Sequence, residues 1–189
     1  FNEEYLSYIK NIDSNKISGL SFLRSTHLNT LIKIDNEIKQ FDSSVLMPLP
    51  ESLNDDSNLM FENFDLLYGT YPKNSNELVL IVNEYNEVDS SIFNALGFKE
   101  NDTISFEDIL KRKIKLIDND SFYTQVGNIF IPITNYEKAF ESSSDVLKIV
   151  GVMRGKKDNK FAVIAGTGIS YRDNLMTKYI ENNKQSKIA

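Results

Sequence analysis

The chain of 189 residues contains no cysteine and only one histidine, His27. The absence of cysteine excludes disulfides, thiolate metal sites and cysteine nucleophiles. A metal site usually needs several His, Cys or clustered carboxylate side chains, and a serine nucleophile needs a base beside it. We therefore expect no catalytic, cofactor-binding or metal-ligating residue, and we interpret His27 as a structural residue of a strand.

Long apolar runs are also absent. The longest runs, such as Leu78–Val82, span about five positions of the sequence, whereas a helix needs about 20 apolar residues to cross a bilayer. The chain begins at Phe1 and not at a methionine. We expect it to be a piece of a longer protein whose membrane segments lie outside this piece.

Basic side chains are in the minority, with 21 Lys and Arg against 27 Asp and Glu and a net charge of −6. This balance argues against a nucleic-acid backbone as the main partner. The hydrophobic share of 41% and the charged share of 25% are ordinary for a folded protein. The length fits one domain or two small lobes better than two full domains.

The clearest local signal is a turn, a strand and a helix in succession. Gly69–Pro72 forms the turn, and Glu77 opens the apolar run Leu78–Val82. This run is too short for a helix and too apolar for an exposed strand, so it predicts a central strand of a sheet. Asp89 and Gly97 are predicted to cap and to end the short helix that follows.

Further helices are predicted from caps and from apolar periodicity. Ser105 and Thr134 each begin a capping-box pattern, and the first of these predicts the helix Ile109–Arg112. Ser170 is predicted to cap a final helix. The apolar face of that helix contains Leu175, Met176, Tyr179 and Ile180, and the apolar face of the first helix contains Tyr5, Ile9 and Ile12. We expect these two faces to be buried against each other.

Three short motifs need an interpretation. Val146–Met153 alternates as a strand does, and it predicts a hairpin with Phe161–Ala165. Asp118–Ser121 begins like a calcium loop but lacks the glycine and the glutamate of that pattern, so we interpret it as a turn. Gly166–Gly168 lacks both the third glycine and the lysine of phosphate-binding loops, and we interpret it as a flexible corner.

Several of these segments resemble the extracytoplasmic domain of MacB-type ABC transporter permeases, especially their Gram-positive branch. The resemblance extends from about Ile17 to the end of the chain. It is carried by the turn and strand of Gly69–Val82, by the aliphatic strand with a trailing arginine at Leu147–Arg154, and by Ile169, Tyr171 and Leu175 of the final helix.

The resemblance implies an α+β fold with two lobes. A mixed α/β, membrane-proximal (porter-like) lobe would be built from both chain ends, residues 1–98 and 161–189. A smaller, strand-rich (sabre-like) lobe, residues 99–160, would be inserted between them.

The resemblance also implies a function. The chain would be a non-catalytic extracellular domain at the cell membrane that couples ATP-driven helix movement to export or extraction of a peptide, lipid or lipoprotein. Its partners would be the membrane-embedded remainder of the same permease, a separate cytoplasmic ATP-binding subunit, a second permease copy and a membrane-fusion-like or cell-wall partner. One alternative is an FtsX-like ectodomain that binds and activates a cell-wall hydrolase, and another is a secreted hydrolase with a carboxylate site.

Overall fold

The computed structural model describes residues 2–13, 15–17, 19–20, 22, 24, 26–50, 59–157 and 166–189. The helices are α1 (Glu3–Lys10), α2 (Leu59–Asn63), α3 (Ser90–Ala95), α4 (Phe106–Leu110), α5 (Asn119–Phe122), α6 (Glu137–Ser142) and α7 (Asp173–Asn183), with a 3₁₀ turn at Ser43–Val45. The strands are β1 (Thr30–Ile34), β2 (Glu37–Gln40), β3 (Leu46–Pro48), β4 (Phe64–Gly69), β5 (Glu77–Val82), β6 (Lys113–Leu116), β7 (Tyr123–Val126), β8 (Ile129–Pro132), β9 (Val146–Gly155) and β10 (Gly168–Tyr171).

One mixed sheet organises the described residues, with the strand order β2-β1-β6-β9-β5-β10-β3 and with β4 paired to β9. β5 runs parallel to β9 and antiparallel to β10. Because β5 covers one edge of β9, β6 and β4 share the other edge, β6 at the beginning of β9 and β4 at its end. The mixed α+β fold and the central position of Leu78–Val82 are confirmed.

The apolar composition of β5 follows from burial on both faces of the sheet. Leu78, Leu80 and Val82 enter the main core, which α3, α4 and α7 cover. Val79 and Ile81 point to the opposite face and pack into a second, smaller core. Alternate side chains of a strand face opposite sides of the sheet, so a strand that is covered on both sides is apolar at every position.

The helix after β5 agrees with prediction, whereas the predicted turn is wrong in its bounds, since Gly69 still belongs to β4 and the turn lies at residues 75–76. Gly69 ends β4 with a φ of +77°, and a Cβ atom there would lie 2.1 Å from the carbonyl oxygen of Val150. Asp89 caps α3 by accepting a hydrogen bond from the N–H of Ser91 at 2.8 Å. Gly97 follows α3 with a φ of +80°, a common way for a helix to end.

One capping box is confirmed and the other is wrong. Ser105 Oγ accepts from the N–H of Asp108 at 3.2 Å, and Asp108 Oδ2 accepts from the N–H of Ser105 at 3.3 Å. The helix that follows is α4, which begins earlier than predicted, immediately after its cap. Thr134 does not cap α6; Asn135 Oδ1 instead accepts from the N–H of Glu137 at 3.1 Å.

The beginning of the last helix differs from prediction. Ser170 is buried within β10, and α7 begins at Asp173 after Arg172. The strand therefore continues through the residue that was expected to be the cap, because Ser170 pairs with Val79 of β5. The apolar face of α7 is correct at Leu175, Met176 and Tyr179, which are buried in the main core.

The predicted packing of the first helix against the last is not found. α1 contains no buried residue, and Tyr5 and Tyr8 are exposed by 45% and 69%. α7 buries its apolar face in the main core and not against α1. The predicted hairpin partner Phe161–Ala165 lies outside the described residues.

The large sheet runs through the predicted lobe boundaries. The segment 99–160 contributes β6 and β9 to it, whereas β1, β5 and β10 come from the chain on either side. Within that segment, α5, β7, β8 and α6 stand outside the large sheet, and β7 pairs with β8 as a separate hairpin. The division into a membrane-proximal and an inserted lobe stays a prediction. No helix in the described part of the chain is long and apolar enough to cross a membrane.

Candidate functional site

A cleft of about 240 Å³ lies between the β7–β8 hairpin and the residues that follow α7. Its lining residues are Asn119, Asp120, Tyr123, Thr124, Gln125, Phe130, Lys187 and Ile188. Two aromatic rings, several neutral polar groups and one charge of each sign therefore meet in a small space. This composition suits contact with a small or partly apolar group, and it contains no nucleophile paired with a base.

Asn119 lines the cleft, and each polar atom of its side chain takes part in a hydrogen bond within the protein. Its Oδ1 accepts from Asn29 Nδ2 at 2.9 Å, and its Nδ2 donates to Ser186 Oγ at 3.2 Å. Its backbone N–H donates to Asn183 Oδ1 at 2.6 Å. Because each polar atom of the Asn119 side chain already bonds to another part of the fold, its main contribution is to hold the cleft in place.

Tyr179 completes this network from α7. Its hydroxyl lies 3.3 Å from Asn119 Oδ1 and 3.4 Å from the carbonyl oxygen of Ile117, and it accepts from the N–H of Asn29 at 3.3 Å. Burial raises the pKa of Tyr179 to about 12. The phenol therefore stays protonated at neutral pH and acts as a hydrogen-bond donor, not as a base.

The same network ties the end of the chain to α5. Asp120 Oδ1 accepts from the N–H of Lys187 at 3.0 Å. Asn183 Nδ2 donates to the carbonyl oxygen of Tyr179 at 2.9 Å, which fixes the asparagine side chain for its contact with Asn119. Polar groups buried in this way stabilise a fold only when each has its partner, and here the asparagines and the tyrosine satisfy one another.

The hairpin above the cleft exposes aliphatic side chains. Val126, Ile129 and Ile131 are exposed by 52%, 61% and 42%, and we call these three side chains the aliphatic face. At the base of the hairpin, Phe122 is buried in a third cluster together with Leu31, Ile117 and Ala139. From Ser121 to Tyr136 the sequence contains no charged residue. The aliphatic face is thus an exposed apolar surface in a segment without charge.

The remaining motifs do not come together as a chemical site. His27 was expected within a strand, but this is wrong: it is exposed and precedes β1, which begins at Thr30. Asp118 immediately precedes α5, and the next three residues are the first residues of this one-turn helix after β6. Gly168 opens a strand and not a helix, so the strand–loop–helix context of a phosphate site is missing there. Among the described residues, no group of three His, Asp or Glu side chains is placed to hold a metal ion.

In comparisons with known proteins, no family model, no curated protein sequence and no solved structure matches this chain. The resemblance to MacB-type permeases therefore stays a hypothesis carried by the motifs themselves.

Sequence reasoning did not identify the cleft or its polar network. The asparagines involved, Asn29, Asn119 and Asn183, are far apart in the sequence, and asparagine is abundant throughout the chain. One signal was present, however. The absence of charge between Asp120 and Glu137, together with several isoleucines, already distinguished the hairpin from the rest of a sequence in which 25% of residues are charged.

Proposed function

We propose that this chain is the non-catalytic extracellular domain of a MacB-type ABC transporter permease. In this proposal it couples ATP-driven movement of membrane helices to the export or extraction of a peptide, lipid or lipoprotein. Its partners are the membrane-embedded remainder of the permease, a cytoplasmic ATP-binding subunit and a second permease copy.

The main support for this proposal is that three segments on which the resemblance depends, although far apart in the sequence, are neighbours in the fold. β5 from the first motif pairs with β9 from the second, where Leu80 lies opposite Val152. β5 also pairs with β10, where Leu80 lies opposite Ile169. Ile169 and Tyr171 of the third motif were expected in the final helix, but they lie in this strand, and only Leu175 lies in the helix. Segments that are far apart in the sequence thus form one continuous part of the sheet, which is compatible with a single scaffold.

The chemistry of the cleft supports a binding role over a catalytic one. The polar atoms of Asn119 are engaged in the network, and the pKa of Tyr179 is raised by burial to about 12. A general base needs a pKa near the working pH and access to the substrate, and Tyr179 meets neither condition. The network is suited to transmitting the position of α7 to α5 and to the hairpin.

Topology is the direct test of this proposal. Tyr85, exposed by 72% between β5 and α3, can be changed to cysteine in the full-length protein after any cysteines outside this chain are removed. We expect a membrane-impermeant maleimide to label Tyr85→Cys on intact cells. The matched control is Ser170→Cys, which is buried and should be labelled only after denaturation. Labelling of Tyr85→Cys only after lysis would place the domain in the cytoplasm and overturn the proposal.

Co-purification of the full-length protein separates transport from hydrolase activation. We expect an ATP-binding subunit to co-purify. A stable complex with a cell-wall hydrolase, lost when the hairpin is changed, would instead support the FtsX-like alternative.

A further inference from the structure

We propose that the cleft binds an extended peptide segment, which adds to the outer edge of β7 as a further strand of the hairpin. The ligand is thus recognised by its main chain, with apolar side chains on one of its faces. This inference goes beyond the proposed function, which leaves the choice of substrate open, and no step of it requires a membrane.

The cleft follows the outer edge of β7 and not one face of the hairpin. Three consecutive residues of the strand line it, namely Tyr123, Thr124 and Gln125. Side chains of consecutive strand residues point to opposite faces of a sheet, so a space that touches all three lies beside the strand. Since a strand rises by about 3.4 Å per residue, this length of edge can pair with about three residues of a ligand.

The hydrogen-bond pattern of the hairpin leaves the polar backbone atoms of Gln125 facing the cleft. Along an antiparallel strand, the backbone groups of successive residues point alternately toward the paired strand and away from it. Phe122 points toward β8, because its carbonyl oxygen accepts from the N–H of Ile133 at 2.9 Å. Gln125 lies three positions further on, an odd number. Its N–H and its carbonyl group therefore point away from β8.

Within the described residues, no other strand occupies this edge. β7 pairs with β8 alone, and among these residues no group bonds to the backbone N–H or carbonyl oxygen of Gln125. The N–H of Tyr123 is by contrast bonded to the carbonyl oxygen of Asn119 at the end of α5. A strand edge with unpaired backbone groups is a template for the addition of another strand.

The two terminal strands of the large sheet differ from β7 in composition. β2 contains Glu37 and Lys39, and β3 ends in Pro48. Charged side chains and proline are common means by which proteins prevent a sheet edge from binding a further strand. β7, with the sequence Tyr-Thr-Gln-Val, contains neither. Its edge therefore lacks the protection that β2 and β3 have.

The opposite wall of the cleft selects a flexible segment and not a second folded domain. Lys187 and Ile188 form this wall. It is fastened to α5, because Asp120 Oδ1 accepts from the N–H of Lys187 at 3.0 Å. The space of about 240 Å³ is smaller than the pockets of about 300–1,000 Å³ that hold drug-sized ligands. A single extended chain fits this space, whereas the edge of a second sheet could not enter without displacing the wall.

The cleft also selects the side chains of the segment. In an antiparallel addition, the residue that exchanges both backbone hydrogen bonds with Gln125 places its side chain on the same face as Gln125. Phe130 lies directly opposite Gln125 and shares that face, and Ile188 adds an apolar group from the other wall. Asp120 and Lys187 contribute one charge of each sign. We therefore expect a neutral segment in which apolar and polar side chains alternate.

Two isomeric peptides test the proposal on the unchanged 189-residue chain. Both have the sequence acetyl-Thr-Ile-Thr-Val-Thr-amide, and each carries two N-methyl groups. The N–H groups of Ile and Val face β7 in the proposed arrangement, so N-methylation of these two residues should abolish binding. N-methylation of the second and third Thr leaves the pairing edge intact and should permit binding. Because the two peptides have the same composition, the comparison isolates main-chain pairing.

Amide hydrogen exchange, measured by nuclear magnetic resonance, reports the contact at a single atom. With the Thr-methylated peptide at saturation, we expect the N–H of Gln125 to exchange at least about tenfold more slowly than in the free chain. The N–H of Asn128, in the turn of the hairpin, should keep its rate. With the Ile- and Val-methylated peptide, neither rate should change.

Two variants test the same contact from the side of the protein. Gln125→Pro removes the N–H that faces the cleft but no hydrogen bond between β7 and β8, and proline is tolerated at such edge positions. It should weaken binding of the Thr-methylated peptide at least about fivefold, as followed by the amide signal of Ile188. The matched variant Gln125→Ala keeps the N–H and should weaken binding by about twofold or less. The melting temperatures of both variants serve as the control for folding.

Three outcomes would overturn the inference. Equal binding of the two peptides would show that side chains alone make the contact. Protection of the Gln125 N–H that rises with protein concentration without any peptide would indicate a second copy as the occupant. Failure of both peptides to slow exchange at Gln125 would exclude strand addition at this edge. If Gln125→Pro does not fold, the two peptides still distinguish these outcomes from the expected result.

Discussion

Asn183, near the end of α7, accepts a hydrogen bond from the backbone N–H of Asn119 at 2.6 Å. Asn119 is the first residue of α5, which leads directly into the β7–β8 hairpin. This single contact therefore joins the last helix of the chain to the element that supports the cleft. The exposed fraction of Asn183 is 6%, so water cannot easily replace its side chain.

Replacing Asn183 by alanine is expected to destabilise the protein. The change leaves the N–H of Asn119 and the carbonyl oxygen of Tyr179 without their side-chain partner. An unsatisfied buried polar group costs about 1–3 kcal/mol. Denaturant unfolding should show a loss in the free energy of unfolding in this range. Asn182→Ala, on the exposed neighbour in the same helix, is the matched control and should change it by about 0.5 kcal/mol or less.

The parts of the fold that were predictable are those fixed by short-range chemistry. The apolar run Leu78–Val82 required a central strand, and Ser105 with Asp108 required a helix start, because each signal is complete within a few residues. The prediction that Ser170 caps the last helix was wrong. A serine shortly before an acidic residue is typical of a helix cap, but the same short sequence can also lie in a strand. Its neighbour across the sheet, Val79, decides the matter, and that contact is not visible in the sequence.

The candidate site was not predictable for a similar reason. Asn29, Asn119 and Asn183 meet only after β1, α5 and α7 have been brought together by the core. The sequence around a single asparagine does not indicate which distant residue its side chain will form a hydrogen bond with. The amphipathic pattern of α1 likewise predicted burial, but nothing in a periodic pattern specifies which surface covers it, and Tyr8 remains exposed.

Gly69 and Gly127 provide a test of how closely the turn after β4 is packed. Both residues have positive φ, +77° and +62°. A Cβ at Gly69 would lie 2.1 Å from the carbonyl oxygen of Val150, whereas a Cβ at Gly127 would meet nothing within 4 Å. Gly127→Ala should therefore cost only the conformational strain, about 1–2 kcal/mol.

Gly69→Ala should cost the same strain and, in addition, about 1–3 kcal/mol for the displacement of backbone. Thermal and denaturant unfolding of the two variants measures the difference directly. Equal losses for Gly69→Ala and Gly127→Ala would show that the turn can move away from Val150, in contradiction to a closely packed turn.

The stabilisation that the ion pair between Arg24 and Asp173 provides should depend on the shape of the guanidinium group. Arg24 Nε donates to Asp173 Oδ1 at 3.0 Å and Nη2 donates to Oδ2 at 2.7 Å, and both side chains are largely shielded. Lysine keeps the charge but cannot form this two-bond contact. Arg24→Lys should therefore lower the free energy of unfolding by about 1 kcal/mol.

The same substitution at Arg154 is the control, since Arg154 donates an exposed hydrogen bond to Asn86 Oδ1 at 3.2 Å and forms no two-bond contact with a carboxylate among the described residues. Arg154→Lys should change the stability by about 0.5 kcal/mol or less. If both variants lost the same amount, the contribution at position 24 would come from general features of arginine and not from the contact with Asp173.

Glu77 should make stability depend on pH in the acidic range. Its Oε2 accepts from the N–H of Lys73 at 2.6 Å and from the N–H of Asn74 at 3.0 Å. The hydrogen bond from Lys73, with a smaller contribution from Asn74, lowers the pKa of Glu77 below its usual value of 4.5. A carboxylate whose pKa is lower in the folded state stabilises the fold above its unfolded pKa and loses this effect as pH falls through the folded pKa.

Glu77→Gln should therefore be less stable than the parent chain at about pH 7, by about 1 kcal/mol, because a neutral amide is a weaker acceptor for these N–H groups. The difference should remain constant down to about pH 5.5 and shrink once the pH falls below 4.5, the usual pKa of the side chain. Comparison of the two chains at each pH cancels the other carboxylates, which titrate in both. Glu84→Gln, on the exposed turn after β5, is the control. Its free energy of unfolding should differ little from that of the parent chain at every pH. A difference between the parent chain and Glu77→Gln that stays the same through the acidic range would show that the charge of Glu77 does not stabilise the turn.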